Sequence, residues 1–180
     1  MTIGFHDPRG IRAEAPIAYS LGINLDEAPE SCVGLLANGF PDSEAFLDAV
    51  AVSLNERYPS LVIERFNKGN ASITAPDSLM DDIASRCDAL IAAYGHRGSC
   101  TTGTVRDGIA AAKRSIPAVA LVTDDFWQQG DFVALSFSMP DIPRVRLPHP
   151  IAGTGKEAMQ QVAHAFVDEM VSALKAPNPC

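Results

Sequence analysis

The run ALIAAYG at residues 89–95 holds no charged side chain and ends in a glycine. A segment this short and this apolar reads as a strand, and a strand that is apolar on both alternating faces has to be covered on both. AVALVT at 118–123 has the same character, and SCVGLLA (31–37), LVIERF (61–66) and VRLPHP (145–150) read as three further strands. The segments between them carry a helical period instead. One helix is expected from about Pro41 to Tyr58, with Asp42 or Ser43 as N-cap and Phe46, Leu47, Val50 and Leu54 turned inward. Others are expected from Pro76–Asp77 to about Cys87, from about Thr101 to Ser115, and from about Asp125 onward. The clearest amphipathic stretch is 155–175, with Met159, Val162, Ala163, Phe166, Met170 and Leu174 on one face.

Strands alternating with helices in this way imply a three-layer α/β fold. Its expected core is a mostly parallel five-stranded sheet, wound in the flavodoxin-like manner with helices on both faces. Residues 1–30 show no clean period and read as an irregular N-terminal arm, followed by a single α/β domain over 31–176. The arm wraps either its own domain or a neighbouring subunit, which makes a homo-oligomer possible.

A chain of 180 residues with 47% apolar and 20% charged residues is long enough to build one good core. Its net charge of −8 argues against nucleic acid or an anionic membrane face as partner, because both call for clustered Lys and Arg. No apolar stretch is long enough to span a bilayer, and the N-terminus MTIGFHDPRG lacks the pattern of a signal peptide, so a cytoplasmic location is expected. The cysteines Cys32, Cys87, Cys100 and Cys180 show neither zinc spacing nor a disulfide framework. Cys32 and Cys87 read as packing residues and Cys180 as incidental. Neither a cofactor nor a metal site is implied, although His96, Cys100 and His149 could converge in space.

In an open α/β sheet ligands bind beyond the carboxyl ends of the strands. The segments that follow the five strands are Asn38-Gly39, Asn67-Lys68, His96-Arg97-Gly98-Ser99-Cys100, Thr123-Asp124-Asp125 and Pro148-His149-Pro150. Cys100 is expected at or near the N-cap of the helix opening at Thr101, where unpaired N–H groups and the helix dipole favour a thiolate and hence a nucleophile. Arg97 is suited to a carboxylate through its planar fork, and Lys68 offers a second cation. Asn38, Ser99, Thr101 and Thr102 are candidate substrate-binding groups, because small and hydroxyl residues around a helix N-terminus can cradle an anion. His149, held between two prolines, and His96 are candidate proton carriers. His164 reads as structural, His6 lies in the arm, Asp124 and Asp125 read as helix caps, and Trp127 as core or rim. The expected substrate is therefore a small, anionic molecule.

The stretches NGFPDSEAFLDAV, NKGNASITAP, GHRGSCTTGTVRDGI, IPAVALVTDDF and LPHPIAG, in this order over roughly residues 31–155, resemble the UGSC family. That family is named for a selenocysteine-Gly-Ser-Cys stretch and is distantly similar to the selenoprotein subunits of glycine and proline reductases. The resemblance places Cys100 at the motif's last position, Gly98-Ser99 at its middle, Arg97 at the selenocysteine position and His96 where an acidic residue is expected. Arg97 cannot take part in a two-chalcogen redox cycle, so the reductive chemistry that the resemblance implies loses one partner. The reading that follows is an enzyme acting on a small carboxylate-bearing metabolite through Cys100, as a hydrolase, transferase or carbon–heteroatom lyase. The alternatives are a thiol-dependent reductase and a non-catalytic ligand-binding subunit.

Overall fold

The computed structural model describes residues 15–175; His6, Cys180 and residue 176 of the expected domain lie outside them. Five strands, β1 (Cys32–Ala37), β2 (Val62–Asn67), β3 (Ala89–Gly95), β4 (Ala118–Thr123) and β5 (Arg144–Leu147), form one sheet in the order β2-β1-β3-β4-β5. Every neighbouring pair is parallel. The helices are α1 (Ser43–Arg57), α2 (Asp77–Arg86), α3 (Gly98–Ala112), α4 (Trp127–Ser136) and α5 (Lys156–Leu174), and a short 3-10 turn at Asp124–Phe126 precedes α4. The fold is the expected flavodoxin-like α/β arrangement with a five-stranded parallel sheet.

Residue parity along the strands sorts the core into two layers, because successive side chains leave a strand on opposite faces. Leu35, Ile91, Leu121 and Val145 point to the face covered by α1 and α5, where they meet Phe46, Val50, Met159 and Met170. Leu36 and Leu90 point the other way, to Met80 and Ile83 of α2. Ala120 and Val122 share that second face with Val105 and Ile109 of α3 and Val133 of α4. β3 is buried along its whole length, as its uninterrupted apolar run requires.

The chain winds from β1 outward to β2, then returns across β1 to β3 and continues to β5. The winding direction therefore reverses between β1 and β3, and the loops leaving these two strands diverge there to leave a crevice.

Three details at the ends of elements bear on the site. α3 begins at Gly98, three residues before Thr101, so Cys100 sits inside the first turn rather than at the N-cap, which is Arg97 in extended conformation. β5 stops at Leu147, since Pro148 and Pro150 have no N–H with which to continue a ladder. Asp42 is the N-cap of α1 but caps nothing: its carboxylate instead accepts the N–H of Gly153 at 2.8 Å.

The described part of the arm lies on its own domain. Ile17 donates its N–H to Ser138 O, Ile23 donates to Leu174 O, and Leu25 is buried in the α1–α5 layer. The hydroxyl of Tyr19 accepts the N–H of Ala118 at 3.0 Å, at the start of β4. Among the described residues no helix is long and apolar enough to cross a membrane.

Candidate functional site

The loops that leave β1, β3, β4 and β5 meet at the carboxyl edge of the sheet. Four rings from these loops pack side by side in a row, Phe40 and His96 stacked and the other neighbours tilted. Phe40 lies 5.2 Å from His96, His96 lies 4.3 Å from His149, and His149 lies 5.8 Å from Phe126, centroid to centroid. Tyr94 meets Phe40 and His96 edge-on from below, and its hydroxyl donates to Pro41 O at 2.8 Å. Aromatic packing of this kind contributes about 0.5–1.5 kcal/mol per pair and fixes ring orientation. A recess of about 430 Å³ opens beside Phe40, lined by Gly39, Asp42, Glu44, Asn67 and Gly69.

His149 has one assignable tautomer. The Thr123 hydroxyl donates its hydrogen to Gly95 O at 2.9 Å, so its oxygen can only accept from His149 Nδ1, 3.1 Å away. The Nδ1–H is thereby fixed, and Nε2 is left with a free lone pair. The Asp125 carboxylate lies 3.7 Å from Nε2, close enough to hold the ring once it is protonated. Asp125 is thus a partner of His149 rather than a helix cap, while Asp124 pairs with Arg146.

His96 is committed differently. Its Nε2 accepts the N–H groups of Ile151 (3.0 Å) and Ala152 (3.3 Å), which ties the loop after β5 to the end of β3. Two donors aimed at one nitrogen require the neutral ring with its hydrogen on Nδ1, and Nδ1 is buried without a partner. Burial holds the His96 imidazole below its usual range, and the charges of His149 and Arg97 add to the effect. His96 is therefore a positioning residue, not the proton carrier expected of it. A pH dependence of stability follows. Below the unfolded value of 6.5 the unfolded chain takes up a proton that the folded chain refuses, so stability is lost as pH falls from there toward the folded value. Thermal unfolding between neutral and mildly acidic pH is expected to drop more steeply for the native protein than for His96→Gln, which keeps an acceptor but does not titrate. Equal slopes would refute this assignment.

Cys100 is almost wholly buried, 1% exposed. Its Sγ accepts the N–H of Arg97 at 3.0 Å and of His96 at 3.3 Å, and its S–H faces Arg97 O at 3.3 Å. The thiol thus does what a capping side chain does at the third position of a helix: it reaches back to the N-cap N–H. The sulfur expected to be a nucleophile is sheathed by the turn. Cys87 precedes β3 and Cys100 follows it, so the whole seven-residue strand separates the two thiols.

The remaining candidates divide sharply. Arg97 at the N-cap and Ser99 in the first turn of α3 are exposed, and among the described residues the Arg97 guanidinium makes no ion pair. A side chain at Gly98 would meet no described residue within 4 Å. Thr102 is half-buried and turned back on its own helix, its hydroxyl donating to Gly98 O at 2.9 Å.

Asn38, Thr101 and Lys68 are corrected as substrate contacts. The Asn38 amide donates to Tyr94 O (2.8 Å) and to the Thr104 hydroxyl (2.9 Å), and its oxygen accepts from Phe40 N (2.9 Å), which exhausts its donors. Thr101 is fully buried against Gly95, where a Cβ would fall 2.7 Å from the threonine oxygen, so only glycine allows the strand to turn so closely into α3. Lys68 Nζ donates to the Asp107 carboxylate and to Ile73 O, both at 2.6 Å, with both charged side chains fully buried. That pair clamps the β2–α2 loop onto α3 across Gly103, where any side chain would meet Ala71 O at 2.5 Å.

Phe40, Thr123 and Phe126 are site residues to which the sequence assigns no role, and Asp125 reads from it as a helix cap. Thr123 and Asp125 lay in a strand-end segment already placed on this edge, which was the available signal. Among the described residues no group of three or more His, Cys, Asp or Glu is arranged to hold a metal ion.

The model of the UGSC family matches residues 5–176 of this chain. No curated protein matches it. Among solved structures it is similar to a flavodoxin-like domain from Synechococcus sp., at 10% identity and a TM-score of 0.36, covering 79% of this chain and 99% of that one.

Proposed function

This chain belongs to the UGSC family, and we propose that it is an enzyme that moves a proton to or from a small carboxylate-bearing metabolite at the carboxyl edge of the sheet. The observation that carries this reading is the His149–Thr123–Gly95 relay, which directs one nitrogen inward and leaves Nε2 free beside Asp125. A general acid or base needs this: a fixed ring, a defined tautomer and one available nitrogen. Arg97 and the first turn of α3 supply the anion-binding half, since helix N-terminal N–H groups and a guanidinium both favour a carboxylate. Ser99 stands on the same turn as an additional donor. Hydrolysis, group transfer and lyase chemistry all use such a pair.

In this reading Cys100 shapes the turn that presents Arg97. A cysteine-nucleophile mechanism instead requires the sulfur to leave two N–H groups and reach the surface. A Cys100→Ser protein with full turnover assigns the residue to the turn, and one with none returns it to the chemistry.

The test is a binding screen of small carboxylic acids and their neutral amides, read by thermal shift and calorimetry. Carboxylates are expected to bind, and Arg97→Gln is expected to weaken them about tenfold or more, the size of a lost charge-assisted hydrogen bond. Binding that does not distinguish acid from amide, or that survives Arg97→Gln unchanged, would sink the proposal. Binding without turnover would mark the chain as a ligand-binding subunit.

A further inference from the structure

We propose that Cys32 and Cys87 are a modification site, at which a reversible disulfide fastens the amino edge of the sheet, remote from the site described above. Their Sγ atoms are 3.7 Å apart and both thiols are free. A disulfide needs about 2.05 Å, so closure is a side-chain movement of under about 2 Å. The backbones are already held together. Asp88 donates its N–H to Cys32 O, and Cys32 N donates to the Asp88 carboxylate, both at 2.8 Å. Cys32 is the first residue of β1, and Cys87 is the extended residue on which α2 ends. Gly34 lies over the pair, where a Cβ would come 3.1 Å from Cys87 Sγ, so the glycine leaves that thiol its room.

The two cysteines differ in access. Cys32 is half-buried and can be reached by a small reagent, whereas Cys87 is buried beneath it. Burial pushes both thiols up, Cys87 to about 12, so exchange is slow at neutral pH and accelerates as pH rises. The oxidant is a low-molecular-weight disulfide such as oxidised glutathione. Cys32 sulfur attacks one of its sulfurs, forming a mixed disulfide and releasing one thiol. Cys87 sulfur then attacks Cys32 sulfur, forming the protein disulfide and releasing the second thiol. Two protein thiols are oxidised, one external disulfide is reduced, and the two protein protons leave on the released thiols. The bond closes a loop between positions 55 apart in sequence and ties the entry of β1 to the entry of β3.

The full chain is incubated with oxidised glutathione at mildly alkaline pH, then alkylated and mapped by mass spectrometry. The expected result is a loss of two hydrogens localised to a Cys32–Cys87 linked peptide. Tm is expected to rise by about 5–10 °C, reversibly with a dithiol reductant. Cys32→Ser and Cys87→Ser each abolish the linkage, and Cys100→Ser keeps it. Two outcomes would overturn the proposal: glutathione retained on Cys32 with Cys87 still free to alkylate, or both thiols unmodified while the control thiol reagent labels the unfolded chain.

Discussion

A Lys68→Met protein is expected to lose about 3–5 kcal/mol of folding stability, the loss typical of breaking a buried ion pair from one side. The methionine keeps the length and volume of the stem, so the loss isolates the charge rather than the packing. Asp107 is left inside the protein with only the Ala75 N–H, 2.7 Å from its other oxygen, as partner. Burial already pulls its carboxyl above the usual carboxylate range, with Lys68 opposing, and removal of Lys68 takes away the main opposing influence. The fold then has to protonate Asp107, admit water or release the β2–α2 loop. For a chain of this size the thermal midpoint falls by roughly 10 °C. Urea and thermal unfolding measure the effect. The double variant Lys68→Met/Asp107→Asn is expected to regain most of it, because the amide still accepts from Ala75 and no lone charge remains. A single variant within about 1 kcal/mol of the native protein would contradict a dry, buried pair.

Replacing His149 with asparagine is expected to cut turnover about 10²- to 10⁴-fold, the usual contribution of a positioned general acid or base. Asparagine retains an N–H for the Thr123 oxygen but has no counterpart of Nε2. The substitution therefore keeps the relay to Gly95 while removing the one nitrogen free to carry a proton. Carboxylate affinity is expected to stay near the native value, since Arg97 and the α3 terminus are untouched. The result to look for is a fall in kcat with little movement in KM or in the unfolding midpoint. Undiminished turnover would remove His149 from the chemistry, and an equal loss of affinity would place it in binding instead.

Much of the fold was legible because it is encoded locally. β3 and β4 were read to the residue, since a strand covered on both faces is apolar throughout and stops where the run stops. The expected end of α3, about Ser115, lies three residues past Ala112, and its expected start, Thr101, falls three residues late because Gly98 and Ser99 are poor helix formers. The turn is stabilised there by something no propensity records, a cysteine sulfur that takes the N-cap N–H. His149 was recognised as an edge residue, but its partner Asp125 was taken for a cap, which is the commoner use of an acidic residue at a helix start.

What the sequence alone determined is which segments are strands, which are helices and which loops gather at one edge. Those properties repeat every two or 3.6 residues and are written within a single element. What only the tertiary structure decided is how each polar group at that edge is spent. Lys68 meets Asp107 across 39 positions, and His96 meets Ile151 across 55. Cys32 meets Cys87 at a distance that no spacing rule contains. These pairings follow from the order of strands in the sheet and the closeness of approach at Gly95 and Gly103. A side chain's chemistry can be read from its letter, but its availability depends on whether another part of the chain has already taken its donors and acceptors.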